Sequence, residues 1–507
     1  GTTNAVTTVT GTIYGGSGTT DTDNVLNVNT NATAGNIANF SMVNFNFNST
    51  FNQGNPMLNL VGGSATNLDW SKFKHTGNAP SGTSVLMQNL NNIIVAGYTG
   101  AKEISSTGTH EVTVDTDTNT GVAKQILLGG YQFKDADVTP TTGSLTADIW
   151  AGRSVLGNTT TKNTLTLSGT NHRDAYGGWT AGTRTSAAAK FNSTENTVNL
   201  RGGNVRTIYG GFTAVQSGNA TGNKVNISGG EVGNTGHYGA GYGNVYGGYL
   251  SHATATGAAT GNTVTITGGR MKDIYGGWTA GTGATTGNTV NLGTATGAFT
   301  APTIFGTVYG GNKADATNNT LNVYDTVTAG NIANFDTVHF KVVNPSRVAV
   351  GGSFLTLNDG NATNLDWNKL SVDGLDSVTA SATSDHIFTL LHNANNINLS
   401  NYSTTGTRGR IQSDDYEADI TTDGNSATSQ NVYLKGYRFQ NNTGAAYAGG
   451  AAPNGAWGGR SIIGKTVTNN KLTLTGGSAT LTARGGMVEN TERDSGGNFK
   501  TNGDATK

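Results

Sequence analysis

The chain contains no cysteine, which excludes disulfides and thiolate metal sites and leaves backbone ladders and apolar packing to hold any fold together. Charge is scarce as well: 30 Lys and Arg stand against 31 Asp and Glu among 507 residues, a formal net charge of -1. With no cluster of Lys and Arg, the electrostatic footprint of a nucleic-acid partner is missing. Disorder usually couples low hydrophobicity to high net charge, and a near-neutral chain with 34% hydrophobic residues does not fit that pattern. No run of 18 apolar residues occurs, so no membrane-spanning helix is expected within this sequence, and no secretory leader is visible. Gly1, without a preceding Met, suggests a processed or excised fragment of a longer protein. Helix formers such as Glu, Lys, Arg and Leu are few.

What is abundant is Gly, at 76 residues, together with Thr, Asn, Ser and Ala. Thr favours strands, while Gly and Asn tolerate the left-handed backbone of tight turns, so the mixture suits many short strands joined by turns. A short repeat runs through the middle of the chain. Its aromatic-Gly-Gly element begins at Tyr176, Tyr209, Tyr246, Tyr275 and Tyr309, at intervals of 33, 37, 29 and 34 residues. Each element has a matching segment led by Asn: Asn163-Thr-Leu-Thr-Leu, Asn196-Thr-Val-Asn-Leu, Asn223-Lys-Val-Asn-Ile, Asn262-Thr-Val-Thr-Ile, Asn288-Thr-Val-Asn-Leu and Asn319-Thr-Leu-Asn-Val. Alternation of apolar residues with Thr or Asn is the period of a strand with one buried face.

One such strand cannot bury its face alone, so stacked copies are expected to make a continuous core. The fold class this predicts is all-β, a parallel β-helix or β-solenoid with irregular excursions. Leu165, Val198, Val225, Val264, Val290 and Leu321 should form one interior row and Leu167, Leu200, Ile227, Ile266, Leu292 and Val323 a second, with the Asn and Thr between them facing outward. The five tyrosines are read as structural corners, where a Gly pair turns the backbone at positive φ and the ring packs across neighbouring repeats. At about 4.8 Å per repeat, the chain would form a rod on the order of 80 to 100 Å long.

A longer duplication overlies the short one. Residues 12–47 match 307–342, including Thr-Ala-Gly-Asn-Ile-Ala-Asn-Phe at 33–40 and 328–335. The match continues through Ala65–Trp70 and Ala362–Trp367, Gly130–Phe133 and Gly436–Phe439, and Gly152–Ser154 and Gly459–Ser461. Four regions follow: a first long unit at 1–148, the short-repeat array at 149–305, a second copy of the long unit at 306–455, and the truncated start of a second array at 456–507. The segments 48–148 and 343–455 are less regular, either excursions or a small insertion, and recognition is expected to reside on them.

Candidate chemistry is sparse. Gly459-Arg-Ser-Ile-Ile-Gly464-Lys465-Thr466 fits the phosphate-loop pattern letter by letter, but it leads into a strand rather than a helix, and the matching Asn158 of copy one replaces the lysine. Asp115, Asp117 and Asn119 resemble the start of a calcium loop, with Asp423 opposite Asp117 in copy two, although Gly comes one place late and no Glu closes the loop. Asp21, Asp23, Asp414, Asp415 and Asp419 lie in similar turns, and solvated turn residues are the bland reading of all of them. The eight histidines, at 75, 110, 172, 237, 252, 339, 386 and 392, share no metal-ligand spacing. Arg153 and Arg460 recur at matched positions beside Trp150 and Trp457, as stacked structure or, in an enzymatic reading, as a basic residue over a polysaccharide cleft. The aromatic rows Tyr176, Tyr209, Tyr246, Tyr275 and Trp179, Phe212, Tyr249, Trp278 are either structural stacks or a sugar-binding strip.

The Ile-Tyr-Gly-Gly, Ala-Thr-Gly-Asn-Thr-Val and Ile-Thr-Gly-Gly elements, clearest at 209–230 and 246–278, resemble those of the large autotransporter adhesins of Fusobacterium-like and Veillonella-like anaerobes. The resemblance spans about 150–325. It implies type V secretion, a passenger that is a right-handed parallel β-helix at the bacterial cell surface, and attachment to host or bacterial receptors or glycans. The expected function is a non-enzymatic adhesin passenger, with self-association through polar ladders; a surface-layer or filament subunit is the alternative, and a polysaccharide-acting β-helix using Arg153, Arg460 and the 115–117 turn is the third. No cofactor is expected, calcium excepted.

Overall fold

A strand with alternate apolar residues must find cover for one face, and the short repeats find it in each other. The computed structural model describes residues 7–18, 22–47, 54–76, 82–106, 108–144, 146–182, 191–233, 243–314, 316–342, 352–374, 386–403, 411–412, 415–442, 445–447, 456–461, 465–475 and 483–488. These residues are all-β, arranged in several sheets that are mainly parallel, with three-residue 3-10 turns at Trp70–Lys72, Trp367–Lys369 and Asp423–Asn425. Two units are distinguished by their internal packing: Gly1–Ala136 with Ala151–Asn163 and Thr180–Lys190, and Asp137–Trp150 with Thr164–Trp179 and Phe191–Lys507.

In the second unit, strands Thr164–Ser168, Thr197–Gly202, Lys224–Ile227, Thr263–Ile266, Thr289–Leu292 and Thr320–Val323 pair in parallel, each with the next repeat's copy. The register puts Leu165, Val198, Val225, Val264, Val290 and Leu321 in one row and Leu167, Leu200, Ile227, Ile266, Leu292 and Val323 in another. These are the two rows expected from the alternation, and all twelve side chains are buried. Each contributes about 1.5–3 kcal/mol of hydrophobic burial. Both rows extend beyond the array, into Val338 and Leu370 and into Phe340 and Val372, on strands Thr337–Lys341 and Leu370–Asp373. The change of repeat type at 306 leaves the ladder uninterrupted.

The aromatic-Gly-Gly elements form a second parallel ladder: His172–Thr180, Asn204–Thr213, Val245–Leu250, Ile274–Thr279 and Thr307–Gly311 follow one another in order. Here the expectation of corners is corrected. Tyr176, Tyr209, Tyr246, Tyr275 and Tyr309 lie inside strands, and none of the glycines that follow them has a positive φ. The left-handed turn sits elsewhere, at the residue before each leading Asn. Gly222, Gly261 and Gly287 have φ of 65–66° there, and Lys162, Glu195 and Asn318 adopt the same conformation at 55–61°.

The less regular segments prove to be a change of strand sense. In the first unit, Thr7–Tyr14, Ala32–Ala38 and Leu58–Leu60 run parallel into the first half of the 15-residue strand Gly82–Ala96, and Thr66–Asp69 pairs in parallel with its second half. On its other edge that strand takes Val122–Gln132 antiparallel, followed by His110–Thr116. The second copy repeats this plan in the other unit: Ser353–Leu357 and Thr363–Asp366 join His386–Ser400 in parallel, and Thr428–Arg438 and Tyr416–Thr422 continue antiparallel. A backbone kink marks both long strands at the same point, Asn92 at φ 79° and Asn396 at φ 80°. Just before it, Asn89 donates to Thr66 Oγ1 at 2.8 Å and Thr66 to Asn36 Oδ1 at 2.5 Å; Asn393, Thr363 and Asn331 form the same chain at 2.8 and 2.6 Å.

Candidate functional site

Three features of the array unit stand out: an outward polar face, a buried asparagine column beneath it, and two stacked aromatic rows. On the face, the residues that precede and separate the two core residues of each strand, from Thr164 and Thr166 to Thr320 and Asn322, are Thr or Asn except Lys224, because a side chain next to a core residue must point away from the core. Neighbouring side chains bond along the ladder: Asn199 Nδ2 donates to Thr166 Oγ1 at 3.3 Å, Asn226 to Asn199 Oδ1 at 2.9 Å, Asn291 to Thr265 Oγ1 at 3.1 Å and Asn322 to Asn291 Oδ1 at 2.8 Å. Within the strands of this ladder Lys224 and Arg201 are the exposed charges; past the array's end Asp373 bridges Lys341 at 2.5 Å and His339 at 2.8 Å.

The leading asparagines do not share that outward setting. Asn196, Asn223, Asn262, Asn288 and Asn319 are fully buried. From Asn223 onward each Oδ1 accepts both the backbone N–H and the side-chain Nδ2–H of the Asn one repeat earlier, at 3.0–3.1 Å from Asn196 to Asn223 and 2.9–3.2 Å from Asn288 to Asn319. The other amide proton goes to a backbone carbonyl, as Asn262 Nδ2 does to Ala220 O at 3.0 Å. At the far end the backbone N–H of Asn319 donates to Asp336 Oδ2 at 3.2 Å, and Lys369 Nζ holds the other oxygen of that carboxylate at 3.0 Å.

This column explains the paired glycines. A Cβ on the second glycine would intrude on the Asn: at Gly211 it would lie 2.3 Å from Asn223 Nδ2 and at Gly248 2.5 Å from Asn262 Nδ2. A Cβ on the first would meet the next repeat's carbonyl, 2.5 Å from Gly247 O at Gly210 and 2.5 Å from Gly310 O at Gly276. Close backbone approach, not conformational freedom, is what demands glycine here. The signal was present in the sequence: Asn is the one polar position that never varies across the six repeats, whereas outward positions exchange Thr, Asn and Lys.

The aromatic rows follow from the same register. Tyr176, Tyr209, Tyr246, Tyr275 and Tyr309 stack at centroid separations of 4.8, 5.2, 5.1 and 4.6 Å with interplanar angles of 2–11°. Trp179, Phe212, Tyr249 and Trp278 stack at 6.3, 5.4 and 4.4 Å with angles of 5–9°. Ring faces are thus turned on one another, and a sugar ring, which stacks on a face, would find only edges along these rows. Burial, followed by the charges of Asp174 and Asp148, pushes the Tyr176 phenol far above its ordinary range, and burial pushes Tyr249 up to about 12. Arg206 grips Asp174 through Nε at 2.8 Å and Arg173 grips Asp148 at 2.6 Å, forming a paired charged border to the tyrosine row.

The other candidates are held by protein groups. Asp115 Oδ1 accepts from Tyr98 OH at 2.6 Å and from the Thr116 N–H at 2.8 Å, while Asp117 accepts from the Lys124 N–H at 3.1 Å, with Asn119 left-handed in the hairpin turn at φ 54°. Asp423 is more elaborately bound, by Tyr433 OH at 2.7 Å, the Asn431 N–H at 2.8 Å, Ser429 Oγ at 3.0 Å and the Gln430 N–H at 3.1 Å. Burial works to raise its carboxyl, but the donors Tyr433, Ser429 and Asn431 outweigh it and hold it below the ordinary carboxylate range. Among the described residues, no three His, Asp or Glu side chains converge as a metal site would require. Asp21, Asp414 and His237 lie outside the described residues, as do 462–464 of the phosphate-loop match, whose Gly459 sits in strand Ala456–Ser461.

Arg460 stacks over Trp457 at 4.6 Å, and Arg153 stacks over Tyr131 at 4.5 Å. Beside each arginine, a buried carboxylate goes unannounced in the sequence. Glu111 accepts from Ser154 Oγ and Asn158 Nδ2 at 2.8 Å, and Glu417 from Ser461 Oγ at 3.1 Å, so the Gly-Arg-Ser repeat anchors a glutamate through its serine. Among the described residues no helix is long and apolar enough to cross a membrane. Compared with protein families, with curated proteins and with solved structures, the chain has no match.

Proposed function

We propose that this chain is part of an extracellular adhesin passenger of the type V-secreted kind: a parallel β-solenoid at the bacterial surface that presents a polar, almost uncharged ladder to another surface. Its hand is right, as crossovers between parallel strands of one sheet overwhelmingly are. The observation that carries the reading is the outward ladder of Thr and Asn from Thr164 to Asn322, set in register above two fully buried apolar rows. A face this low in charge can lie against a similar face, where many weak hydrogen bonds act together. Cell surfaces, their receptors or glycans, and other passengers are the partners this face suits.

The stacked rings favour that face over the aromatic rows as the contact surface. The enzymatic reading loses support, because Arg153 lies over Tyr131 and Asp115 and Asp117 are engaged by Tyr98, Thr116 and Lys124. The reading predicts that the purified chain aggregates cells or binds their surfaces, and that replacing Thr166, Asn226, Thr265 and Asn322 by Glu abolishes this while leaving the far-ultraviolet spectrum unchanged. Intact chain that binds no cells would favour a surface-layer or filament scaffold instead.

A further inference from the structure

The long duplication sets one lysine among two different sets of neighbours, on a framework that is the same in both copies. Ser41 N donates to Asn24 O at 2.8 Å and Met42 N at 3.2 Å; Asp336 N and Thr337 N make the same two bonds to Asn319 O, at 2.8 and 3.2 Å. Val43 pairs with Phe73 as Val338 does with Leu370. Just before the second strand of each pair lies a three-residue turn, Trp70–Lys72 or Trp367–Lys369. An aspartate opens each turn by accepting a backbone N–H, Asp69 from Ser71 at 2.9 Å and Asp366 from Asn368 at 2.8 Å. Lys72 and Lys369 therefore leave their turns at equivalent points.

The copies part at the residue those lysines face. In the second copy Lys369 Nζ holds Asp336 Oδ1 at 3.0 Å. In the first copy Ser41 stands where Asp336 does, and among the described residues the ion partner of Lys72 is Asp69 Oδ2, at the loose distance of 3.9 Å. Asp69 does not take over the role of Asp336: its Oδ1 is held by the N–H and Oγ of Ser71, at 2.9 and 2.7 Å. Lys369 likewise turns to Asp336 although Asp366 stands where Asp69 does. Lys72 instead lines a recess of about 240 Å3, together with Phe40, Val43, Leu68, Phe73 and Asp69. Val43 and Phe73 are buried, and Phe40 and Leu68 pack on the same core, so the recess has an apolar floor with a half-exposed cation at its rim.

We propose that this recess binds a compact ligand carrying a carboxylate, which meets Lys72 as Asp336 meets Lys369, while the body of the ligand lies against Phe40, Leu68 and Phe73. An ammonium bonds a carboxylate more strongly than it does a neutral acceptor, and covering the apolar floor adds affinity in proportion to the area removed from water. Pockets for drug-sized molecules run to about 300–1,000 Å3, so a recess of about 240 Å3 suits a single ring or a short chain. A small apolar acid and a uronic acid residue of a glycan share this chemistry. The recess lies wholly within the first unit and uses no residue of the polar ladder, so it stands whether or not that ladder adheres.

Calorimetric titration of the intact chain with benzoate and, separately, with glucuronate tests it, with benzamide and glucose as the uncharged counterparts. The expected result is a single site for at least one of the acids and binding about tenfold weaker, or none, for its counterpart. Benzoate alone would mark the ligand as a free apolar acid, glucuronate alone as a carboxylated sugar, and both together a site that reads the carboxylate. Lys72→Ala should weaken binding by about tenfold or more, as loss of a hydrogen bond between charged groups implies. Ser41→Asp should abolish it, because the chain then supplies the carboxylate itself as the second copy does. Lys72 is half exposed and Asp is the second copy's own residue at the matching position, so both variants keep the fold, and their urea midpoints check this. Absence of binding by either acid at millimolar concentration, equal binding of acid and counterpart, or binding indifferent to both substitutions would overturn the proposal.

Discussion

At the scale of single residues, the array depends on one amide and two glycines per repeat. Asn262→Ala removes the acceptor for two donors of Asn223 and the donor to Ala220 O, all in a fully buried site. Each buried group left unsatisfied costs about 1–3 kcal/mol, so the urea midpoint of this variant should fall well below that of an exposed control such as Asn226→Ala. Gly276→Ala should also destabilise, by about 1–3 kcal/mol, because the obstacle is backbone and cannot rotate away. Glu195→Gly should do the reverse: at φ 55° a side chain is strained where glycine is not, and the midpoint should rise by up to about 1 kcal/mol. Of these, only the glycine requirement was legible in the sequence, and for the wrong reason. The Gly pair signalled something sterically special, but a sequence does not distinguish a turn from a close approach between strands 29 or more residues apart. Glu195 and Lys162 gave no turn signal because neither is a turn residue by type.

At the scale of elements, the strands were legible where their partners are copies of themselves. Val198 and Leu200 announce a buried face, and repetition supplies the neighbour. That logic stops at Gly82–Ala96 and His386–Ser400, whose antiparallel partners Val122–Gln132 and Thr428–Arg438 carry different sequences, so pairing cannot be read from likeness. The hairpin closed by Asp423 offers a test by pH. Its carboxyl titrates lower in the fold than in the unfolded chain, so its contribution is present above the ordinary carboxylate range and is lost as pH falls through the lowered folded value. The protection of amides in Tyr416–Thr422, taken relative to the intrinsic exchange rate at each pH, should therefore fall on acidification, and Asp423→Asn should flatten that dependence. The tyrosine rows respond at the other extreme. The Tyr249 phenol is raised from 10.0 to about 12, so stability holds below the ordinary phenol value and is lost as pH rises from there through about 12. Tyrosinate absorbance should therefore lag behind that of free tyrosine and then appear together with unfolding.

At the scale of the whole molecule, each repeat contacts its sequence neighbours, so the array should tolerate loss of a complete repeat better than loss of part of one. Deleting residues 223–261 puts Asn262 where Asn223 stood and keeps Val264 in the apolar row. Deleting only 228–261 leaves two leading strands in succession. The first variant should keep a cooperative urea transition with reduced stability, as nearest-neighbour coupling implies, and the second should not. The internal duplication was plain in the sequence. The asparagine column carries one more consequence. Its amides all point the same way, N–H toward the higher-numbered repeat, so their dipoles add and polarise one another along the stack. The sum places a partial positive charge at the Asn319 end, and there the column meets the carboxylate of Asp336. An array of this design has an electrical polarity and a terminator. Repeats between Asn196 and Asn288 can be gained or lost without altering what each amide senses, whereas the last one donates its backbone N–H to an anion.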